Sequence, residues 1–451
     1  MLAPHLVTRN AAAMPVELEN GDRVDRRARP ASCRAALRAP VAFRHGLLAI
    51  MLALGAHTAA YAQSPLTNGG NHSGSISIPG EVDHWAFSAA QGNAIVLSIG
   101  EVPGTVDTGF WPWIRLIGPN GAQLASNWGA LAAYMHVTAP RTGTYIVRVS
   151  SADTGNDAMG SYLLTLAKIP GTVIVPSDDE GGPMTNGANH DGLIHLGDLD
   201  QWTFTAAQHD AILLSIGEVL EAEVDPGFWP WIRLYGPNGA LISSNWGNWV
   251  AYLSASAPLS GTYTVVVGTA DTANDATGGY RVTLAHIPGT FVVPDGDQGG
   301  AMTNGANHTG EIHLGDLDRW TFNASRGDAI LLSIGEVLDT EVDPGFWPWI
   351  RLYGSNGALI ASNWGNWVAY LSAAAPLTGT YSVVVGTADT ANDAIGEYRI
   401  TLATIPGSFV VPGGDEGGAM SNGANHAGQI HLGDLDRWTF NAARGADVVV
   451  S

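Results

Sequence analysis

Ser215-Ile216-Gly217-Glu218-Val219, followed by Asp225-Pro226-Gly227-Phe228-Trp229-Pro230-Trp231-Ile232-Arg233-Leu234-Tyr235-Gly236-Pro237-Asn238-Gly239-Ala240, is the stretch whose reading decides the fold. It returns almost unchanged at residues 333–337 and 343–358, and in looser form at 98–102 and 107–122. Its parts are an apolar strand, an acidic loop, an aromatic strand and a turn in which Gly239 is free to take positive φ. Other anchors keep the same step of 118 residues: Met184-Thr185-Asn186-Gly187-Ala188-Asn189-His190 recurs at 302–308 and 420–426, and Trp202 returns as Trp320 and Trp438. A unit of that length can hold a core of its own, unlike the short repeat of a solenoid. The sequence therefore predicts separate modules strung like beads: a leader at 1–62, then modules with their linkers at 63–183, 184–301 and 302–419, and an incomplete fourth at 420–451.

Within the second copy eight short runs read as strands: 193–196, 201–205, 211–218, 231–235, 240–243, 250–254, 262–268 and 280–285. Trp202 and Phe204 share one face and Thr203 and Thr205 the other, the period-two mark of a half-buried strand. Tyr263, Val265 and Val267 repeat that pattern, while Gly, Pro, Asn and Asp fill the gaps. The predicted class is all-β: tandem jelly-roll-like antiparallel β-sandwich modules of about eight strands each. The linkers, such as residues 169–183, pair prolines with an acidic Gly-rich stretch and read as semi-flexible tethers. The fourth copy stops inside a strand, which predicts a fragment of a longer reading frame.

The chain carries 20 basic against 41 acidic residues. A field of that sign disfavours nucleic acid and anionic lipid and favours cation uptake. Arg38 and Arg44, the apolar run 46–56 and Ala60-Tyr61-Ala62 read as a secretory signal cut before Gln63. The run is too short to span a bilayer comfortably, so no membrane insertion is expected after its removal. The only cysteine, Cys33, lies in the leader, so the exported chain would rest on its cores and on bound cations rather than on disulfides.

Gly197-Asp198-Leu199-Asp200-Gln201-Trp202-Thr203-Phe204, then Trp231-Ile232-Arg233-Leu234-Tyr235-Gly236-Pro237-Asn238-Gly239, Ser260-Gly261-Thr262-Tyr263 and Gly279-Tyr280-Arg281-Val282 follow in an order that resembles the bacterial pre-peptidase C-terminal domain family. The resemblance covers each whole copy and implies small β-sandwiches with a non-catalytic accessory or binding role, in a secreted or cell-surface protein. It also implies calcium as a ligand of the paired aspartates. The peptidase domain that usually precedes such a module has no counterpart here.

Asp198 and Asp200, matched by Asp316 and Asp318, by Asp434 and Asp436, and by Glu81 and Asp83, are hard oxygen donors at a strand start, near Asn189 and the acidic linker. They suit calcium; the plain alternative is one turn cap and one solvated acid. Asp271, Asn274 and Asp275, with Asp153, Asn156, Asp157 and Asp389, Asn392, Asp393, form a second acidic loop that turn chemistry also explains. Glu218 is placed to pair with Arg233. Trp229, Trp246 and Trp249, with Trp347, Trp364 and Trp367, offer either core and intermodule packing or a platform for an extracellular protein or polysaccharide; Trp202 and Trp231 are the foremost core candidates. His190 and His195 read as strand-end residues rather than zinc ligands, since His195 becomes Ser77 in the first copy. No nucleophile elbow, zinc-protease helix or phosphate-binding loop occurs. The expectation is a non-enzymatic binding, adhesion or spacer array; the alternative is an accessory region of a secreted hydrolase whose catalytic domain lies beyond Ser451.

Overall fold

The structure, a computed structural model, describes residues 63–219, 227–337, 345–389, 391 and 393–450. The leader, its signal and Asn392 lie outside the described residues. Each of the first three copies is a two-sheet sandwich. In the second, a five-stranded sheet runs in the order Gly181–Pro183, Asp200–Ala206, Gly261–Thr269, Pro230–Tyr235 and Leu241–Trp246. The facing four-stranded sheet runs Asn189–Ile194, Gly278–Ile287, Ala211–Glu218 and Val250–Ser256. Every pairing is antiparallel except the first, where Gly181–Pro183 lies parallel to the strand that begins at Asp200. Seven of the eight runs read from the sequence coincide with strands to within three residues at either end; the first, 193–196, overlaps the strand Asn189–Ile194 only at Leu193 and Ile194 and then runs into a turn. The ninth, Gly181–Pro183, comes from the linker.

The alternation is what fills the core. Trp202, Phe204, Tyr263, Val265 and Val267 point inward from one sheet and meet Ile212, Leu214, Ile216, Tyr280 and Val282 from the other. Each module closes its own cluster of this kind. Tyr263 is fully buried, and its hydroxyl donates to the Leu259 carbonyl at 2.6 Å, pinning the turn before its own strand. Tyr145 and Tyr381 do the same. Tyr263→Phe leaves that carbonyl without its donor and is expected to cost about 1 to 2 kcal/mol of unfolding free energy, measurable by denaturant titration.

The linkers are packed, which corrects the reading of them as semi-flexible tethers. Ile174 donates its N–H to the Asn68 carbonyl of module 1, and seven residues later the chain is already in the sheet of module 2. Ile287 to Ala301 and Ile405 to Ala419 repeat this path. The modules are not loose beads either. The strand Ala211–Glu218 is buried along its whole length because it is apolar on both faces. Its second face, Ala211 and Leu213 with Ala285 and Ile287, packs on Leu317, Tyr353 and Val384 of module 3. The first junction is built alike, from Ala94, Val96, Ala167 and Ile169 against Leu199, Tyr235 and Val266. Sheets thus stack through the chain, the four-stranded sheet of one module on the five-stranded sheet of the next.

Two further contacts fix each junction. Gly100 and Gly197 cross at backbone distance: a Cβ on Gly100 would stand 2.4 Å from the Leu196 carbonyl carbon, and Gly197 has φ +85°. Arg233, buried at 2% exposure, sandwiches between its own Trp231 (4.0 Å to the ring) and Tyr134 of module 1 (4.8 Å), and donates to the Tyr134 hydroxyl. Among the described residues Arg233 therefore serves the junction rather than the ion pair with Glu218 that the sequence suggested. Trp231 belongs to the same contact, half-buried, and is not a residue of the sandwich core. Burial raises the Glu218 carboxyl to about 7.

Candidate metal centre

The Gly-Gly crossing that seats module 2 on module 1 also places the turn His195-Leu196-Gly197-Asp198, closed by the Asp198 N–H on the His195 carbonyl. Asp198 ends that turn and Asp200 opens the next strand, so both side chains sit beside the parallel strand donated by the linker. The bend just before that strand brings a third acid, Asp179. Asp179, Asp198 and Asp200 each offer a carboxylate oxygen, and these oxygens all lie within 4.8 Å of one another. Asp297, Asp316 and Asp318 repeat the cluster at the second junction, and Asp415, Glu416 and Asp436 form a group at the third.

The sequence identified the paired aspartates but not the linker residue, because its approach depends on the docked strand. Asp179 also bridges the junction. It accepts from the Asn71 side chain of module 1 at 3.0 Å, and Asn189 and Asn307 reach Asp297 and Asp415 in the same way.

The electrostatics are unfavourable without a counter-charge. Asp198 and Asp200 are 4% and 1% exposed. One Asp198 oxygen accepts the Leu199 N–H at 2.7 Å, and one Asp200 oxygen accepts the Tyr280 hydroxyl at 2.5 Å, itself bonded by Trp202 at 2.8 Å. The other Asp200 oxygen is buried with no partner, as are oxygens of Asp316, Asp318, Asp434 and Asp436. Burial, and then the charge of Asp179, pushes the Asp198 carboxyl up to about 7; burial and then Asp198 push Asp200 well above the usual range. Asp316 and Asp318 behave alike, with Asp297 as the neighbour of the former. Three clustered carboxylates, with a buried oxygen left unpartnered on Asp200 in one cluster and on Asp316 and Asp318 in the next, and no basic side chain in salt-bridge contact among the described residues, fit a hard divalent cation that prefers oxygen. The residues present therefore suit calcium.

Module 1 departs from this pattern. Glu81 turns back on its own turn and accepts from the Ser77 N–H at 2.6 Å and the Ser77 hydroxyl at 2.9 Å, which holds it below the usual range. Asp83 keeps its bond from Tyr162, but no third acid joins it among the described residues. The second acidic loop follows the plain alternative: Asp271 accepts from the N–H groups of Ala273, Asp275 and Ala276 and caps the turn. His190 accepts the Thr185 N–H at 3.0 Å and packs edge-on to Trp202, while His195 is exposed.

The tryptophans form a second candidate surface. Trp229 stacks on Trp246 with ring centres 5.4 Å apart and planes 15° from parallel. Trp347 on Trp364 and Trp111 on Trp128 match it at the same separation. The outer rings are about half exposed: Trp128 53%, Trp246 51% and Trp364 50%. Trp249 and Trp367 are exposed too, so the core-packing alternative does not hold for them.

No protein-family model and no curated protein matches the chain. Solved structures similar to it include the pre-peptidase C-terminal domain of a collagenase from Bacillus anthracis, at 19% identity, covering 24% of this chain and 98% of that one, TM-score 0.19. The M60 catalytic domain of Clostridium perfringens ZmpB with its two CBM51 domains is 10% identical, covering 71% of this chain and 33% of that one, TM-score 0.15. A triple jelly-roll protein of an archaeal virus turret is 10% identical, covering 75% of this chain and 84% of that one, TM-score 0.15.

Proposed function

We propose that this chain is an exported, non-catalytic array of β-sandwich modules that presents a repeated aromatic platform to an extracellular polysaccharide or protein, with calcium held in the carboxylate clusters at its junctions. The observation that carries the reading is the stacked tryptophan pair, kept in the same place in three modules with its outer ring in solvent. A large apolar ring held flat and exposed offers a face for stacking on a sugar or anchoring a partner's side chain. Three such faces at fixed spacing convert weak single contacts into strong overall retention. The clusters support the spacing, because an ion shared by a linker acid and a module's aspartates would tie each junction.

The test is binding of the chain to immobilised polysaccharides and matrix proteins. Replacing Trp128, Trp246 and Trp364 together by Ala is expected to lower retention at least about ten-fold with an unchanged melting midpoint, since the outer rings contribute to no core. Retention unaffected by the triple replacement overturns the assignment of the platform.

A further inference from the structure

The two outward faces of the stack differ, and the difference is chemical. At each internal junction the four-stranded sheet offers Ala, Val or Leu, Ala and Ile; the five-stranded sheet answers with Leu, Tyr and Val. The four-stranded sheet of module 3 offers the same set again: Ala329, Leu331, Ala403, Ile405 and, beside them, Tyr370. Here the set is partly uncovered, although Ala403 stays buried at 5% exposure. Ile405 is 44% exposed against 1% for its counterparts Ile169 and Ile287, and Tyr370 is 45% exposed. Leu331 is half-buried where Leu213 is fully buried. The start of the fourth copy is already seated there in register: Gly433 crosses Gly335 as Gly315 crosses Gly217, and Arg437 donates to the Thr404 carbonyl as Arg319 does to that of His286. What the face lacks is the Tyr and the Val of the strands that match Pro348–Tyr353 and Gly379–Thr387.

The opposite end cannot serve as that partner. On the five-stranded sheet of module 1, the places of Leu199, Gln201, Tyr235 and Val266 are taken by Val82, His84, Ile117 and Arg148. Arg148 is exposed and would be buried without a partner if this sheet met an apolar one. A polar outer face of this kind is what ends a stack of repeats.

We infer that the stack has a direction: the five-stranded sheet of module 1 is a stop, and the four-stranded sheet of module 3 is a docking surface for the five-stranded sheet of a further copy of this repeat. The occupant is recognised by its Leu, Tyr and Val triplet, its Arg for the ring of Tyr370 and its Gly-Asp turn. The inference stands apart from the ligand of the tryptophans and from the ion in the clusters.

The exported chain has no cysteine, so thiol labelling reads both faces. In the chain 63–451, Ile405→Cys is expected to react at least about ten-fold faster than Ile287→Cys. Extending the chain at Ser451 with its own residues 334–419, which completes the fourth copy, is expected to slow Ile405→Cys to the Ile287→Cys rate. The same extension carrying Ile and Arg in place of its Tyr and Val, as in module 1, is expected to leave labelling fast. An extension that gives no protection overturns the docking surface; equal protection by both extensions overturns the stop. Labelling of the unextended chain that slows as its concentration rises would mean a second copy docks its module 1 there, which also overturns the stop. A variant that needs no extension is Val266→Arg: placed in the first junction, it is expected to speed Ile169→Cys labelling at least about ten-fold, and no change refutes the discrimination.

Discussion

Adding calcium to the chain from Gln63 to Ser451 is expected to raise its melting midpoint, and removing it is expected to leave a protein that is less stable at pH 8 than at pH 5. Both follow from the clusters. An ion that binds the folded state alone stabilises by about 2.7 kcal/mol per site at a hundred times its dissociation constant. Without it, Asp198 and Asp316, whose carboxyls are raised to about 7, hold protons in the folded state that the unfolded chain releases nearer 4. The stability contributed by the protonated form is full below that lower value and is lost as pH rises through about 7, at about 1.4 kcal/mol per pH unit for each such group. Asp200→Asn with Asp318→Asn separates the two effects by sign. The double variant is expected to melt higher than the parent at pH 8 with chelator, because the cost of a buried carboxyl is gone, and to keep only the response to calcium of the third group, Asp415, Glu416 and Asp436. A calcium-independent midpoint in the parent sinks the cation assignment. A midpoint that rises with pH in chelator sinks the electrostatic account.

Gly217→Val is expected to part modules 2 and 3 while leaving each folded. Any Cβ at this position would stand 2.4 Å from the Gly315 nitrogen and the Leu314 carbonyl carbon, which are backbone and cannot swing away. Relief requires the two sheets to separate, exposing Leu213, Ile287, Tyr353 and Val384. The cost is on the order of 3 kcal/mol, concentrated at the junction rather than in a core. Calorimetry is expected to show one transition splitting into two, and a protease is expected to cut between residues 287 and 301. Gly279→Ala is the matched control, since its nearest neighbour would be an ordinary 3.6 Å away. A single unshifted transition for Gly217→Val would show that the crossing does not hold the junction.

Eight of nine strands were legible because alternation and turn residues mark them without reference to anything distant. The ninth was not, since Gly181-Gly182-Pro183 has no alternation and pairs through backbone alone. The candidate metal centre was half legible for the same reason: Asp198 and Asp200 are two residues apart, whereas Asp179 joins them only once the linker has docked. The packed junctions left a trace that went unread. A strand facing one core needs a single apolar face, yet Ala211 to Ile216 is apolar on both. The exposed tryptophans carry no mark in composition that separates them from core rings; only Trp202 and its neighbours at period two show which aromatics turn inward.

The strand Gly181–Pro183 has a practical consequence for anyone dividing this protein. A piece cut at Met184, where the sequence repeat begins, would bare the seven-residue edge Asp200–Ala206, a template on which other chains can add. In the intact protein that edge is covered by three residues, two of them glycine and one a proline that has no N–H to offer a newcomer. The unit that can be handled safely therefore begins upstream of the repeat, at Asp179 or before, and carries its own edge guard with it.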